Sequence, residues 1–282
     1  MDLTNEINQL FRKYGIRPKK SLSQNFVADS TLLDRMIDYA EINSRDVVLE
    51  IGPGLGFLTE RISEKAGKVI AVEKDHDLIK LLRDRLGDRK NIVLIESDIL
   101  RLNDLIFDKI ISNPPYQLSS PLIFNLLRHS FKVSTLTLQK EFAERLTASK
   151  GTKEYGRLTV MANIALLSEI MEYVRPNVFY PQPDVESAVL RITFRPSPIK
   201  IQNKLFFSDL VRELFTQRNK ISKKVVRRFI ETQFNLNEGC SDALTANLPY
   251  MDKRVFQISP EEFVELSNLI WAAKDTVEKI CN

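Results

Sequence analysis

The sequence predicts an α/β fold, with a mostly parallel sheet covered by helices, followed by a smaller all-helical domain. Three observations predict it. From residue 46 onward, aliphatic and β-branched runs alternate with amphipathic stretches of about ten residues. Glycines directly follow the first of these runs, and beyond residue 198 the pattern is helical throughout. Such alternation is typical of βαβ units, whose ligands bind at the carboxyl ends of the strands.

Seven segments have the composition of strands. The first, 46–51, ends in the turn Gly52-Pro53-Gly54-Leu55-Gly56, and apolar residues four apart predict a helix from Phe57 to Lys65. A second helix is predicted at 77–87. The other strands are predicted at 68–73, 91–96, 108–112, 135–138, 168–174 and 186–194, the last two as an antiparallel hairpin with a proline-rich connection at 176–183.

The C-terminal part follows a break at Arg195-Pro196-Ser197-Pro198, which predicts a linker. A four-residue apolar repeat from Ile221 to Phe229 predicts a helix over 218–230 with basic residues on its other faces. The last helix is predicted to begin in a capping box formed by Ser259 and Glu262.

The net charge of +4 is unevenly distributed. Residues 10–28 contain five basic and no acidic residues, and residues 212–228 contain seven basic residues against Glu213 alone. The rest of the chain is therefore negative. Two basic segments on an otherwise negative chain indicate binding to a polyanionic partner, rather than two helix faces that only contact water.

Composition also bounds the class of protein. No apolar run is long enough for a transmembrane helix, and the N-terminus lacks the features of a secretory signal, so we expect a cytoplasmic protein. Cys240 and Cys281 are far apart and are expected to be free thiols. His76 and His129 are equally isolated, so no metal site is expected.

The glycine turn predicts a nucleotide-type cofactor. A dinucleotide motif would need glycine at position 57, where Phe57 stands, so a cofactor without a pyrophosphate fits Gly52 and Gly54 better. Glu73, at the end of the second strand, is placed to accept hydrogen bonds from two ribose hydroxyls. Asp98, at the end of the third, is placed to contact the adenine.

Asn113-Pro114-Pro115-Tyr116 follows the fourth strand and predicts chemistry on an amine. The exocyclic amine of adenine is a poor nucleophile because its lone pair is delocalised into the ring. The Asn113 side-chain oxygen and the Pro114 carbonyl can accept hydrogen bonds from its two N–H groups. The prolines make the turn rigid, so that these acceptors are held in position. Tyr116 offers a face on which the base stacks.

Together these residues resemble the KsgA-type ribosomal RNA adenine dimethyltransferases, and the resemblance extends from about Lys19 to the C-terminus. Two departures stand out: Ser23 replaces the usual glycine, and Pro114 replaces leucine or isoleucine. The stretch 151–157 is similar to the archaeal and eukaryotic branch. The other matching segments are Ser23-Gln24-Asn25-Phe26-Val27, Gln117-Leu118-Ser119-Ser120-Pro121, Tyr155-Gly156-Arg157-Leu158, Phe179-Tyr180-Pro181-Gln182-Pro183 and Phe215-Thr216-Gln217-Arg218-Asn219-Lys220.

The resemblance implies a Rossmann-like class I methyltransferase domain at 21–196, a basic N-terminal arm at 1–20 and a helical RNA-docking domain at 199–282. It implies a monomer that transfers methyl groups from S-adenosylmethionine to N6 of two adjacent adenosines near the 3′ end of small-subunit RNA, in an immature 30S-type subunit. The implied residues are Asn25, Val27, Gly52, Gly54, Glu73, Asp98 and Asn113 for the cofactor; Asn113, Pro114 and Tyr116 for the target base; and Arg218, Lys220, Lys223, Lys224, Arg227 and Arg228 for RNA.

Two alternatives stay open at this point. The tetrapeptide alone also permits a DNA adenine or protein glutamine methyltransferase, which would not account for Gln24-Asn25-Phe26 or for the basic helix. The second alternative is a protein that binds RNA during ribosome assembly, or a transcription-factor relative, with little turnover.

Overall fold

The computed structural model describes residues 2–19, 22–195 and 199–281, with side chains up to residue 274. The helices are α1 Thr4–Tyr14, α2 Ser30–Ala40, α3 Phe57–Lys65, α4 His76–Leu86, α5 Ser119–Leu126, α6 Lys140–Thr147, α7 Arg157–Asn163, α8 Lys204–Thr216, α9 Ser222–Phe234, α10 Glu238–Ala246 and α11 Pro260–Cys281. The strands are β1 Phe26–Val27, β2 Val47–Ile51, β3 Lys68–Glu73, β4 Ile92–Glu96, β5 Lys109–Ser112, β6 Val133–Gln139, β7 Leu166–Val174, β8 Phe179–Tyr180 and β9 Ser187–Phe194.

The chain forms two compact units. The first contains Met1–Ala143 and Leu167–Phe194, and the second contains Glu144–Leu166 and Arg195–Asn282. Residues 144–166, which the sequence placed in the first domain, therefore belong with the C-terminal helices. The reason is hydrogen bonding to residues distant in sequence: the Tyr155 hydroxyl donates to the Ile258 carbonyl over 2.7 Å, and the Gly151 amide donates to the Phe256 carbonyl over 2.8 Å. Residues 196–198 of the predicted linker lie outside the described part of the chain.

The first unit contains a seven-stranded sheet in the order β4-β3-β2-β5-β6-β9-β7. β2 pairs in parallel with β3 and β5, β3 with β4, and β5 with β6. β9 runs antiparallel to β6 and lies beside β7. The predicted mostly parallel seven-stranded sheet is thereby confirmed.

The order of the strands reverses at β2. From β2 the chain continues outward through β3 and β4, and then returns to place β5 on the other side of β2. Ligands of open α/β sheets bind outside the carboxyl ends of the strands at such a switch point. The glycine turn after β2 and the Asn113 tetrapeptide after β5 therefore lie side by side. The Ser112 hydroxyl, which donates to the Ile51 carbonyl, ties the two strand ends together.

The predicted basic arm is a helix of the first unit. Ile7 of α1 is fully buried in the apolar cluster that α1 to α4 share with the sheet. Two of the arm's cations are engaged within the unit, since Lys13 pairs with Asp84 and Lys19 pairs with Asp75 and Asp77. The arm is thus partly neutralised and packed. Lys20 lies outside the described residues.

The second unit is formed by α7 to α11 around an apolar cluster that includes Phe207, Val226 and Phe263. The predicted helix over 218–230 is wrong at its start, because α9 begins at Ser222. Ile221 is extended and forms a β-bridge with Arg254, which the local apolar repeat could not reveal.

Two further predictions concern single side chains of the second unit. The predicted capping box of α11 is confirmed by the bonds from the Ser259 amide to Glu262 Oε2 and from the Glu262 amide to Ser259 Oγ, 2.8 and 3.2 Å long. The expectation of a free thiol is wrong for Cys240, which is disulfide-bonded.

None of the helices in the described part of the chain is long and apolar enough to span a bilayer. Within the same ranges there is no group of three or more histidine, cysteine, aspartate or glutamate side chains that could hold a metal ion.

Candidate active site

A pocket of the first unit lies at the carboxyl ends of β2 to β5. Segments that are distant in sequence form its wall: the stretch around β1, the glycine turn, the ends of β3 and β4, and the tetrapeptide. Every residue predicted for the cofactor or the target base lines it, namely Asn25, Val27, Gly52, Gly54, Glu73, Asp98, Asn113, Pro114 and Tyr116.

The glycine turn needs glycine at both predicted positions. Gly52 and Gly54 have φ of +68° and +58°, in the region that L side chains rarely adopt. A Cβ on Gly54 would also lie 3.0 Å from the Phe26 ring. The turn can therefore bring bare backbone against a ligand, and any side chain there would distort it.

Glu73 ends β3 as predicted and is almost fully buried. Its carboxylate accepts hydrogen bonds from the amides of Gly54, Lys74 and Asp75, at 3.2, 2.8 and 2.9 Å. Burial raises the pKa of Glu73 above its ordinary value, although these three hydrogen bonds act to lower it. The bond to Gly54 fixes the carboxylate against the glycine turn.

Asp98 was predicted at the end of β4. That strand ends at Glu96, so Asp98 lies two residues beyond the predicted position. It caps the short 3₁₀ helix Ile99–Arg101 by accepting from the Leu100 amide over 3.1 Å. Lys74 donates to it over 2.9 Å, and this bond lowers the pKa of Asp98. The side chain nevertheless lines the pocket as an ionised acceptor.

Asn113 is the most informative residue of the pocket. Its Nδ2 donates to the Asn25 carbonyl over 2.9 Å, which fixes the orientation of the amide. Its Oδ1 is buried and has no hydrogen-bond partner among the described residues. A buried acceptor without a partner costs about 1–3 kcal/mol, so this oxygen is suited to receive a donor from a ligand.

Two other residues of the tetrapeptide, Pro114 and Tyr116, also line the pocket. Pro114 is buried at the pocket wall. The Tyr116 hydroxyl and the Ser187 hydroxyl are 2.5 Å apart, and Ser119 Oγ donates to the Tyr116 carbonyl over 2.7 Å. Burial raises the pKa of Tyr116, so the phenol stays neutral. These bonds fix the position of the ring at the pocket.

Sequence reasoning missed Glu50 and Ser187. Glu50 is buried in β2, lines the pocket and has an oxygen, Oε2, without a partner among the described residues. Burial, together with the nearby Glu73, raises the pKa of Glu50 to about 8. The sequence could have revealed Glu50, because it is a charged residue inside a strand predicted to be buried. Nothing in the sequence could have revealed Ser187, because its bond to Tyr116 joins residues 71 positions apart.

The six residues predicted to bind RNA lie in the second unit and differ in their contacts. Lys220, Lys223, Lys224 and Arg228 are exposed and form no ion pair with any described residue. Arg227 pairs with Asp242 and Glu238 at 3.0 and 3.3 Å.

Arg218 also has partners inside its unit, since it donates to the carbonyls of Thr152 and Tyr155 over 2.9 and 3.2 Å. Of these six, only Arg227 is therefore paired with carboxylates of the described residues, while Arg218 is held by backbone carbonyls. The binding of all six to RNA stays a prediction.

Comparison with known proteins identifies the family. Residues 15–268 match the family described as ribosomal RNA adenine dimethylase. The chain belongs to this family. The predicted family, fold class and S-adenosylmethionine-dependent ribosomal RNA adenine dimethyltransferase activity are confirmed.

Relatives and solved structures agree with the assignment. "Probable ribosomal RNA small subunit methyltransferase A" of Methanothermobacter thermautotrophicus is 41% identical over 95% of this chain and 96% of its own length. The protein of the same description from Thermococcus onnurineus is 39% identical over 91% and 94%.

Among solved structures, a dimethyladenosine transferase from Plasmodium falciparum has a TM-score of 0.77 at 29% identity, covering 86% of this chain and 95% of that one. The 23S rRNA methyltransferase ErmE has a TM-score of 0.66 at 26% identity, covering 87% and 99%.

Proposed function

We propose that this chain transfers methyl groups from S-adenosylmethionine to N6 of two adjacent adenosines near the 3′ end of small-subunit ribosomal RNA, giving N6,N6-dimethyladenosine. The observation that carries the proposal is the Asn113 amide, whose nitrogen is bound to Asn25 and whose buried oxygen is left as a free acceptor. An acceptor held in this way can take an N–H of the target amine and direct the nitrogen lone pair away from the ring.

The pocket residues fit the cofactor. S-adenosylmethionine supplies a methyl group on a positively charged sulfur. Gly52 and Gly54 would face its amino-acid part, Glu73 would accept from its ribose hydroxyls and Asp98 from its adenine amine. The unpartnered oxygen of Glu50 would accept from its ammonium group, which makes that buried carboxyl a favourable contact rather than a cost. Asn25 and Val27 would complete the wall.

The target base would stack on Tyr116, with Asn113 and the Pro114 carbonyl accepting from its amine. A general base is not needed, because the methylated nitrogen becomes acidic and releases its proton readily. Lys220, Lys223, Lys224 and Arg228 would contact RNA phosphates from the second unit, and Arg12 and Arg17 would do so from the first. We place the activity in the cytoplasm, on a monomer acting on an immature 30S-type subunit.

The test is transfer of tritiated methyl groups to four substrates: immature small subunits, 23S RNA, duplex DNA and release factor. We expect label on the small subunit alone, with mass spectrometry locating dimethylated adenosines near the 3′ end of its RNA. Label on 23S RNA, DNA or release factor, and none on the small subunit, would contradict the proposed substrate.

A further inference from the structure

Asp75 joins two walls of the pocket that are distant in sequence. It lies just after β3 with 4% of its surface exposed. Its carboxylate accepts from Lys19 Nζ over 2.7 Å and from Gln24 Nε2 over 2.8 Å, and it caps α4 by accepting from the Asp77 amide over 3.1 Å. Its own amide donates to Glu73 Oε1 over 2.9 Å. One buried residue thus contacts both Glu73 and the pocket segment, residues 22–27.

The pocket segment depends on outside bonds for its shape. Ser23 has φ of +48°, in the left-handed region that residues with a side chain rarely adopt. The side-chain amide of Gln24 forms a hydrogen bond through each of its polar atoms. Its Oε1 accepts from the Lys19 backbone N–H over 2.7 Å, and its Nε2 donates to Asp75. The next residue is Asn25, whose carbonyl orients the Asn113 amide. A displacement of Gln24 would therefore also shift Asn25 and change the orientation of the Asn113 amide, whose oxygen is the proposed acceptor of the target amine.

We propose that Asp75 is a positioning residue, which holds the pocket segment in the conformation that orients Asn113 while it fixes Glu73 at the end of β3. This inference rests on the proposed function for its effect on methyl transfer, but not for its effect on the pocket segment. No contact of Asp75 with RNA or with the reacting atoms is required.

The chemistry of this position calls for a carboxylate. Three donors bond to two carboxylate oxygens, which can only accept. Although burial alone would raise it, the bonds from Lys19 and Gln24 keep the pKa of Asp75 below its ordinary value. An asparagine here would still cap α4, since asparagine and aspartate are equally good N-caps. Its NH₂ group, however, would face the NH₂ group of Gln24.

This geometry permits an exchange experiment. Asp75→Asn breaks the bond to Gln24, and Gln24→Glu sets two carboxylates against each other. In the double variant, the new amide at position 75 can donate to the new carboxylate at position 24. The oxygen of that amide still accepts from Lys19 and from the Asp77 backbone, so the bonds are restored with donor and acceptor reversed. Asp77→Asn is the matched control, because Asp77 also pairs with Lys19, at 3.0 Å, but does not contact Gln24.

Three measurements decide it: hydrogen exchange of residues 22–27 in the protein without cofactor, affinity for S-adenosylhomocysteine by calorimetry, and kcat/KM for methylation of small subunits. For each single variant we expect faster exchange in the pocket segment, weaker ligand binding and a loss of roughly tenfold or more in kcat/KM, with recovery in the double variant. The control should behave as wild type.

Unchanged exchange in Asp75→Asn would overturn the inference, and so would faster exchange with unaltered ligand affinity and methylation. Failure of the double variant to recover would show that Asp75 acts on the overall fold rather than through Gln24. If wild-type protein methylated no ribosomal RNA, the proposed function would fail by itself, while exchange and ligand affinity would still decide the role of Asp75.

Discussion

The side-chain nitrogen of Asn113 donates to the backbone carbonyl of Asn25 over 2.9 Å, although 88 residues separate them in the chain. This bond decides which end of the Asn113 amide faces the pocket. It also links the stretch around β1 to the tetrapeptide after β5. The arrangement of the acceptor is therefore a property of two chain segments together.

Asn113→Ala should lower kcat for methyl transfer by about 100-fold or more, as expected when a preorganised polar group of an active site is removed. The measurement is single-turnover methylation of immature small subunits. Asn91→Ala is a suitable control, because Asn91 also donates to backbone carbonyls, of Ser63 and Ala66, away from the pocket. If the Asn113 variant supported subunit maturation as well as wild type, binding rather than methylation would be the main function.

Tyr116→Ala should lower methylation by an amount equivalent to about 1–3 kcal/mol, the usual contribution of stacking one base on an aromatic ring. Tyr116→Phe keeps the ring and loses only the bond to Ser187, so its loss should be smaller. Ser187→Ala removes the same bond from the other side and serves as the control. Equal losses in the alanine and phenylalanine variants would mean that the hydroxyl, not the ring, is needed.

Glu73→Gln should weaken binding of S-adenosylhomocysteine by about 10- to 100-fold, because hydrogen bonds to a charged acceptor contribute roughly 1.5–3 kcal/mol. Affinity for RNA should not change. Glu96 ends the neighbouring strand in register with Glu73 but does not line the pocket, so Glu96→Gln is the matched control. Calorimetry showing unaltered affinity in the Glu73 variant would refute the assignment to the ribose.

Glu50 should make cofactor binding pH-dependent. Since its pKa is raised from 4.5 to about 8, its side chain is mainly protonated in the free protein at pH 7. A bound ammonium group favours the carboxylate, so binding should release close to one proton. Calorimetry in buffers of different ionisation enthalpy measures this release, and Glu50→Gln should abolish it.

The same shift affects stability. Between pH 4.5 and 8 the folded chain holds a proton on Glu50 that the unfolded chain releases, so stability falls as pH rises through this window. Glu50→Gln should reduce that slope without removing it, because the pKa of Glu73 is raised as well. Parallel slopes in thermal unfolding of the two proteins would contradict the raised pKa.

Lys220, Lys223 and Lys224 should bind RNA phosphates. Changing all three to glutamine should weaken RNA binding and reduce the slope of log K against log salt by about 2–3, since each phosphate contact contributes roughly 0.7–0.9. The control changes three exposed lysines of the first unit, Lys68, Lys80 and Lys90, to glutamine. An equal effect in both variants would show that only net charge matters.

The sequence by itself determined the elements whose signals are local. The bounds of α3 and β3 were predicted as found, because burial on one side of a helix or within a sheet imposes its period on the sequence. The capping box of Ser259 and Glu262 and the glycine turn followed from rules that span three or four residues. The site residues at strand ends followed because parallel strands end at one edge of the sheet.

Tertiary structure alone decided the contacts between residues distant in sequence. α9 begins at Ser222 because Ile221 pairs with Arg254, and Arg218 is engaged with Thr152 and Tyr155 rather than free. The position of residues 144–166 in the second unit has the same origin. Hydrogen bonds of this kind depend on where the chain returns in space, and no local period or motif records that, so the sequence could name Asn113 but not the Asn25 carbonyl that orients it.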